Sequence, residues 1–282
     1  MSLRLVNAGG RAALVCGDSL VDVERHSDGR FAANPMDVLQ SWADFEAWAS
    51  DIDAVGSEPT LDEAKLGPCV PGPQKVFGIG LNYRDHAQEA GLEIPKQPMV
   101  FTKFPSCLAG PRSDVVLTSN RVDYEAELVV VIGRRGRDIS EAKAFDHIAG
   151  YCVGQDISDR RQQFADHPPQ FSLGKSYDGF GPIGPALVGR GDVPDPDALS
   201  IRCEISGETL QDGTTADMIF PVAELVSFLS RSLTLEPGDL IFTGTPAGVG
   251  SVREPRRYLA AGDVITTEID RLGSLVNRCR ET

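Results

Sequence analysis

Val122-Asp-Tyr-Glu-Ala-Glu-Leu-Val-Val-Val-Ile132 reads as a single β-strand. Successive side chains of a strand point to opposite faces. Tyr124, Ala126, Leu128, Val130 and Ile132 therefore share one face, and Glu125, Glu127, Val129 and Val131 share the other. Both faces are largely apolar, so the strand is expected to be covered on both sides. Two carboxylates two residues apart then occupy one partly buried face. They repel each other, and burying either unpaired is costly. A divalent cation removes both problems, and carboxylate oxygens suit Mg²⁺, Mn²⁺ or Ca²⁺ better than zinc. The alternative is a strand end frayed into solvent, with both glutamates hydrated.

A third carboxylate is available at Asp156, which ends the run Ile148-Ala-Gly-Tyr-Cys-Val-Gly-Gln-Asp156 where strand character gives way to the polar Ser158-Asp-Arg-Arg-Gln-Gln163. Strand ends often present functional groups. Asp156 could equally cap a helix, as could Ser158. Outward from this centre the chain is rich in strand-like runs: KVFGIG from Lys75, MVFTKF from Met99, DVVLT from Asp114, SIRCEISGETLQ from Ser200, DLIFTG from Asp239 and DVITTEID from Asp263. Ser206-Gly207 between two alternating runs is a hairpin signal. Short helices are expected at about 83–90, 140–147 and 222–231. Few helices separate the strands, so α+β or mainly β fits better than a doubly wound α/β sheet.

Leu66-Gly-Pro-Cys-Val-Pro-Gly-Pro-Gln74 breaks the composition, because its density of Pro and Gly stops regular structure. Upstream, strand-like runs precede Asp37-Val-Leu-Gln-Ser-Trp-Ala-Asp-Phe-Glu-Ala-Trp-Ala-Ser50, whose apolar residues recur at helical spacing. Residues 1–70 thus read as a small N-terminal α+β domain and 71–282 as the main domain.

The 27 Lys and Arg against 41 Asp and Glu leave a net charge of −14. Such a surface repels nucleic acids and anionic membranes, so neither is an expected partner. No apolar stretch approaches the length of a membrane span. Arg4 and Arg11 interrupt the N-terminal region, so no signal-peptide pattern forms and a cytoplasmic location is expected. The six cysteines are scattered without a CxxC pair, which argues against zinc ribbons and thiol redox motifs and fits buried thiols. Only four histidines are present, which favours an oxygen-rich metal site.

The segment Gly80-Leu-Asn-Tyr-Arg-Asp-His-Ala-Gln-Glu-Ala-Gly91 reads as a short helix with Asn82 as N-cap and Gly91 just past its end. His86 and Glu89 are three residues apart and so share a helical face. A carboxylate beside an imidazole raises its basicity, as a general base requires; a solvated surface pair is the plainer reading. Lys175 lies in Phe171-Ser-Leu-Gly-Lys-Ser-Tyr-Asp-Gly-Phe-Gly-Pro-Ile-Gly-Pro185, a Gly/Pro-rich apolar loop in which a lysine can pair with a carboxylate or bind an oxyanion. Pro237-Gly-Asp-Leu-Ile-Phe-Thr-Gly-Thr-Pro-Ala-Gly-Val-Gly250 is a strand entering a glycine-rich turn without a P-loop ending. Gly17-Asp-Ser-Leu20 matches a short serine-hydrolase motif, but neither a downstream Asp-x-x-His nor a G-x-S-x-G elbow accompanies it. Arg253-Glu-Pro-Arg-Arg257 is a small basic run, read as a solvated loop.

Six segments in order, GLNYRDHAQE, DYEAELVVVIG, GYCVGQDISDR, GKSYDGFGPIGP, LEPGDLIFTGTPAGVG and YLAAGDVITTEIDRLGSLVN, resemble the fumarylacetoacetate hydrolase family over about residues 73–280. The resemblance implies a mixed β-sandwich roll of that type, a homodimer, and an oxygen-ligated divalent metal such as Mg²⁺. Carried over by position, Glu125, Glu127 and Asp156 match the metal carboxylates, His86 and Glu89 the water-activating dyad on a mobile lid, and Lys175 the active-site lysine. Arg160, Gln163, Thr215 and Thr245 match substrate contacts. Gln155-Asp-Ile-Ser-Asp-Arg-Arg161 departs from the frequent Asn-Asp-Val-Ser-Ala-Arg-Asp. Asp159 resembles the branch acting on diketo sugar acids, whereas Gln155 and Arg161 fit that branch less well. The expected reaction is hydrolysis of a carbon–carbon bond in a small anionic 2,4-dioxo acid, an acylpyruvate or a diketo sugar acid. The metal and Lys175 would stabilise the enolate released. Decarboxylation, isomerisation or hydration of related 2-oxo acids would use the same site. A silent binding protein should have lost part of the triad or dyad, and this chain has not.

Overall fold

The computed structural model describes residues 2–52 and 61–281. Ala126–Ile132 is a strand buried at every position, as its two apolar faces require. It lies inside an open mixed sheet that runs Ser19–Asp22, Arg11–Cys16, Arg4–Ala8, Gly181–Gly189, Ile148–Gln155, Ala126–Ile132, Leu240–Phe242, Val76–Gly80 and Met99–Thr102. A second sheet orders Glu208–Thr214, Ser200–Ile205, Val264–Ile269, Gly273–Glu281 and Val115–Leu117. Leu128, Val130 and Ile132 pack into a core with Ile201, Cys203 and Ile265 of this second sheet and with Leu225 and Val226 of the helix Val222–Ser232. Val129 and Val131 face the other way, into a core with Val38, Leu39, Trp42 and Phe45. The alternation read from the sequence is thus a division between two cores, giving the strand-rich α+β architecture expected.

The described residues of the N-terminal region share the main sheet, because Arg4 and Leu5 pair with Val188 and Leu187. Their helical run divides at Ser41 into Pro35–Gln40 and Trp42–Ser50. The helices near 83–90 and 222–231 form as Arg84–Glu89 and Val222–Ser232, and that near 140–147 as Glu141–Ala144 followed by a 3₁₀ turn. Ser206 and Gly207 take φ of 53° and 86° at the tip of the expected hairpin.

The run Phe171 to Pro185 differs from its reading as a loop, since its end from Gly181 belongs to the interior strand Gly181–Gly189, which contains Pro182 and Pro185. Its pairing with Ile148–Gln155 is interrupted between Tyr151 and Val153, where a proline's missing N–H does not break a regular ladder. All six cysteines are buried. Among the described residues no helix is long and apolar enough to cross a membrane.

Candidate active site

Antiparallel pairing of Ala126 with Gln155 sets the site. The residue before one strand then lies beside the residue after the other, and the Asp156 N–H donates to the Glu125 carbonyl at 2.9 Å. Glu125, Glu127 and Asp156 are buried and offer oxygens that all lie within 4.8 Å of one another. The solvated alternative for the two glutamates is excluded by their exposures of 7% and 2%.

Lys175 Nζ donates to Glu125 Oε2 and Asp156 Oδ2, each at 2.7 Å, and to Ser158 Oγ at 2.8 Å. Arg160 engages Asp123 and Glu125 and donates to Gln163 Oε1 at 2.9 Å. Lys103 is 1% exposed and donates to Asp156 Oδ1 at 2.7 Å. It also donates to the carbonyls of Lys175 and Phe180. Asp123, Glu125, Glu127 and Asp156 against Lys103, Arg160 and Lys175 leave one excess negative charge.

The excess falls on Glu127, which makes no ion pair among the described residues and accepts only the Gly244 N–H at 2.8 Å. Burial, then the charges of Asp156 and Glu125, push its carboxyl well above the ordinary range. Burial also works to raise Glu125, but Lys175 and Arg160 more than offset it and hold that carboxyl at about 2. A buried oxygen-only triad with one uncompensated charge fits a hard divalent cation, which would be held by Glu125, Glu127 and Asp156.

A cavity of about 320 Å³ opens onto Glu125 and Glu127. Its walls include Glu125, Glu127, Lys175, His86, Gln163 and Thr245. His86 sits on the helix Arg84–Glu89 with Nδ1 3.6 Å from Glu89 Oε2, just beyond hydrogen-bond length. That nitrogen is buried without a partner. Glu89 Oε2 accepts the Gly248 N–H at 2.9 Å, which ties the helix to the glycine-rich turn. Burial works to raise the Glu89 carboxyl, but the neighbouring His86 imidazole and the Gly248 N–H bring it below its ordinary value.

Three sequence expectations change, those for Asn82, Thr215 and Arg160. Asn82 does not cap the helix: its amide donates to the Phe220 and Thr243 carbonyls and its oxygen accepts the Phe220 N–H. The Asp217 carboxylate instead accepts the Asp85 N–H at 2.8 Å, doing a cap's work from a distant segment. Gly91 does end the helix, at φ 66°. Thr215 is not part of this cavity, because its hydroxyl is fully buried against Leu199, whose N–H it accepts at 2.8 Å. Arg160 lines the cavity, but its guanidinium is engaged by carboxylates and so orients Glu125. Asp159 caps the helix Arg160–Gln163 and accepts the hydroxyls of Thr118 and Ser119, so it does not face the cavity.

Four positioning residues escaped the sequence reading. Lys103 was legible only as a lone lysine inside Met99-Val-Phe-Thr-Lys-Phe104. Asp123 accepts the Gly250 and Ser251 N–H groups and so fixes the glycine-rich turn beside Arg160. Gln155 accepts the Glu125 N–H and donates to Thr267 of the second sheet. Gln211 donates to Thr245 Oγ1 at 2.7 Å, fixing that hydroxyl in the cavity wall.

The family model described as Fumarylacetoacetate (FAA) hydrolase C-terminal matches residues 75–280. A fumarylacetoacetate hydrolase domain-containing protein 2 homolog of Dictyostelium discoideum is 40% identical over 96% of this chain and 92% of its own. A maleylpyruvate hydrolase of Sphingobium sp. SYK-6, solved with manganese(II) ion and pyruvate, is 26% identical with a TM-score of 0.82, covering 99% of each chain. A 2-hydroxyhepta-2,4-diene-1,7-dioate isomerase of Mycobacterium marinum is 30% identical with a TM-score of 0.74, covering 100% of this chain and 99% of its own. A buried acidic triad, a lysine bridging two of its members and a cavity over them thus occur in a chain matched across 75–280, and this protein is an enzyme of the fumarylacetoacetate hydrolase family.

Proposed function

We propose that the enzyme hydrolyses the carbon–carbon bond between C3 and C4 of a small 2,4-dioxo acid, with Mg²⁺ or Mn²⁺ at Glu125, Glu127 and Asp156. The observation that carries this reading is the uncompensated carboxylate cluster on one wall of a cavity whose other walls hold His86 and Lys175. A divalent ion, when bound, supplies chelation and Lewis-acid polarisation of the 2-oxo acid. Glu89 faces Nδ1 of His86, so Nε2 is the nitrogen left to take a proton from water. The water oxygen adds to C4, and the C3–C4 bond breaks to give a carboxylic acid and an enolate. The Lys175 ammonium neutralises part of the enolate charge, and protonation at C3 completes the 2-oxo acid. Gln163 and Thr245 orient the substrate from the cavity wall. The enzyme acts as a homodimer on these small acids.

Isomerisation or decarboxylation is a second reading, favoured by the separation of His86 from Glu89. Both reactions pass through an enolate and need no water to add to a carbonyl. His86→Ala decides between them. Loss of pyruvate formation from an acylpyruvate supports hydrolysis through His86. Pyruvate formation at the wild-type rate overturns His86 as its base.

A further inference from the structure

The ionisable groups that line the triad cavity are Glu125, Glu127, Arg160, Lys175 and His86, and carboxylates already engage both Arg160 and Lys175. The rest of the wall is mainly apolar. Phe101, Phe171 and Phe164 line it as a ladder of rings. The rings of Phe101 and Phe171 lie 5.8 Å apart at 66°, and those of Phe171 and Phe164 lie 6.2 Å apart at 71°. The ladder starts at the reacting end, where Lys175 Nζ is 5.1 Å from the centre of the Phe101 ring. It ends at the surface, where Phe164 is 56% exposed. Leu92 lines the same cavity and is 57% exposed. Two large apolar side chains more than half in water at the rim of one cavity mark a surface that a ligand covers.

The ladder is built on the segments that carry the catalytic side chains. The Phe164 N–H donates to the Arg160 carbonyl at 3.1 Å, and the Lys175 N–H donates to the Phe171 carbonyl at 3.2 Å. The Gln170 N–H donates to the Gln163 carbonyl at 3.1 Å, which closes the loop between these two segments at its base. The Thr102 N–H donates to Ser172 Oγ at 3.4 Å and ties the strand of Phe101 to the helix of Phe171. Leu92 follows the helix of His86, and its N–H donates to the Ala87 carbonyl at 2.9 Å. Rings held in this way suit a further aromatic ring packed against them edge to face. A carboxylate or hydroxyl placed among them would lose its water without gaining a partner.

We propose that Phe101, Phe171 and Phe164, with Leu92, form a subsite for an uncharged aromatic group on C4 of the substrate. The chain then selects an aroyl 2-oxo acid over a carboxylated or polyhydroxylated 2,4-dioxo acid. The proposal rests on the hydrolase reading for the reacting end and deepens it at the distal end. Phe164 and Leu92 are the specificity-determining side chains open to test, because both are exposed enough for alanine to leave the fold intact.

The test compares 2,4-dioxo-4-phenylbutanoate with 2,4-dioxopentanoate and with the diacid 2,4-dioxoheptanedioate, in the full-length Mg²⁺-loaded enzyme. Wild type, Phe164→Ala and Leu92→Ala are measured for kcat/KM and, by calorimetry, for binding. The expected result is a wild-type preference of about tenfold or more for the phenyl acid over the methyl acid. That preference should fall about three- to tenfold in each variant, mainly through KM, and should hold with added salt because no charge carries it. Equal kcat/KM for the phenyl and methyl acids, a preference for the diacid, or a preference that both variants keep overturns the subsite and leaves the hydrolase reading intact. Light scattering should give both variants the wild-type mass. A shift toward lower mass would assign these side chains to a contact between copies and overturn the subsite. Absence of turnover with every acid overturns the hydrolase reading. Calorimetry then still decides the subsite, which fails if wild type binds the phenyl acid no more tightly than the methyl acid.

Discussion

Glu127 has no cationic partner among the described residues, whereas Glu125 has two. Burial foremost raises the Glu127 carboxyl. The folded chain therefore holds that proton more tightly than the unfolded chain, and stability falls as pH rises above the unfolded value of about 4.3. Glu125 acts in the opposite direction, being held at about 2. Its contribution is complete above the unfolded value and is lost as pH falls toward the folded one. Glu127→Gln should therefore raise the melting temperature of the metal-free protein at neutral pH while abolishing the rise that Mg²⁺ causes in wild type. Calorimetric scans with and without chelator check this. Lys103→Met leaves Asp156 with one cation fewer in a buried site and should cost about 3–5 kcal/mol in denaturant unfolding. His86→Ala should lower kcat about a hundred- to ten-thousandfold, read as pyruvate release.

At the scale of elements, the site depends on strand register and on one turn. A slip of one residue between Ala126–Ile132 and Ile148–Gln155 would move Glu125 and Glu127 to the other face. Gly248 holds the turn: its φ is 106°, and a Cβ there would lie 2.0 Å from the Leu210 carbonyl oxygen. Its N–H also anchors Glu89. Gly248→Ala should cost about 1–3 kcal/mol of stability and lower kcat by moving the His86 helix, as measured by melting and initial rates together. The triad strand was legible because period-two alternation with apolar residues on both faces has few other readings. Gly181–Gly189 was not, because its Gly and Pro content mimics a loop and only tertiary pairing makes it a strand. The cap supplied by Asp217 and the charge supplied by Lys103 come from segments distant in sequence, where no local pattern announces them. Thr215 was misplaced because its position in the chain said nothing of its bond to Leu199.

For the whole molecule, the two cores make the described N-terminal residues part of what holds the site. Val129 and Val131 follow Glu127 on its face and pack against Val38, Leu39, Trp42 and Phe45. A chain beginning at residue 71 would leave that face and the Arg4–Ala8 side of Gly181–Gly189 uncovered, and should be recovered as aggregate. At the opposite edge, Met99–Thr102 pairs only with Val76–Gly80 among the described residues, and Met99 and Val100 are 42% and 38% exposed. An apolar edge strand, met at Thr102 by Ser172, invites a partner strand. Light scattering should give twice the chain mass, and Val100→Lys should shift it toward the monomer.

The central claim is that a divalent ion at Glu125, Glu127 and Asp156 is required for hydrolysis of a 2,4-dioxo acid. The direct measurement is pyruvate formation from a 2,4-dioxo acid by enzyme stripped with chelator, before and after Mg²⁺ or Mn²⁺ is restored, in wild type and in folded Glu125→Gln. Pyruvate should form only in wild type and only with metal restored. Full turnover by the stripped wild type, or by Glu125→Gln, would contradict it.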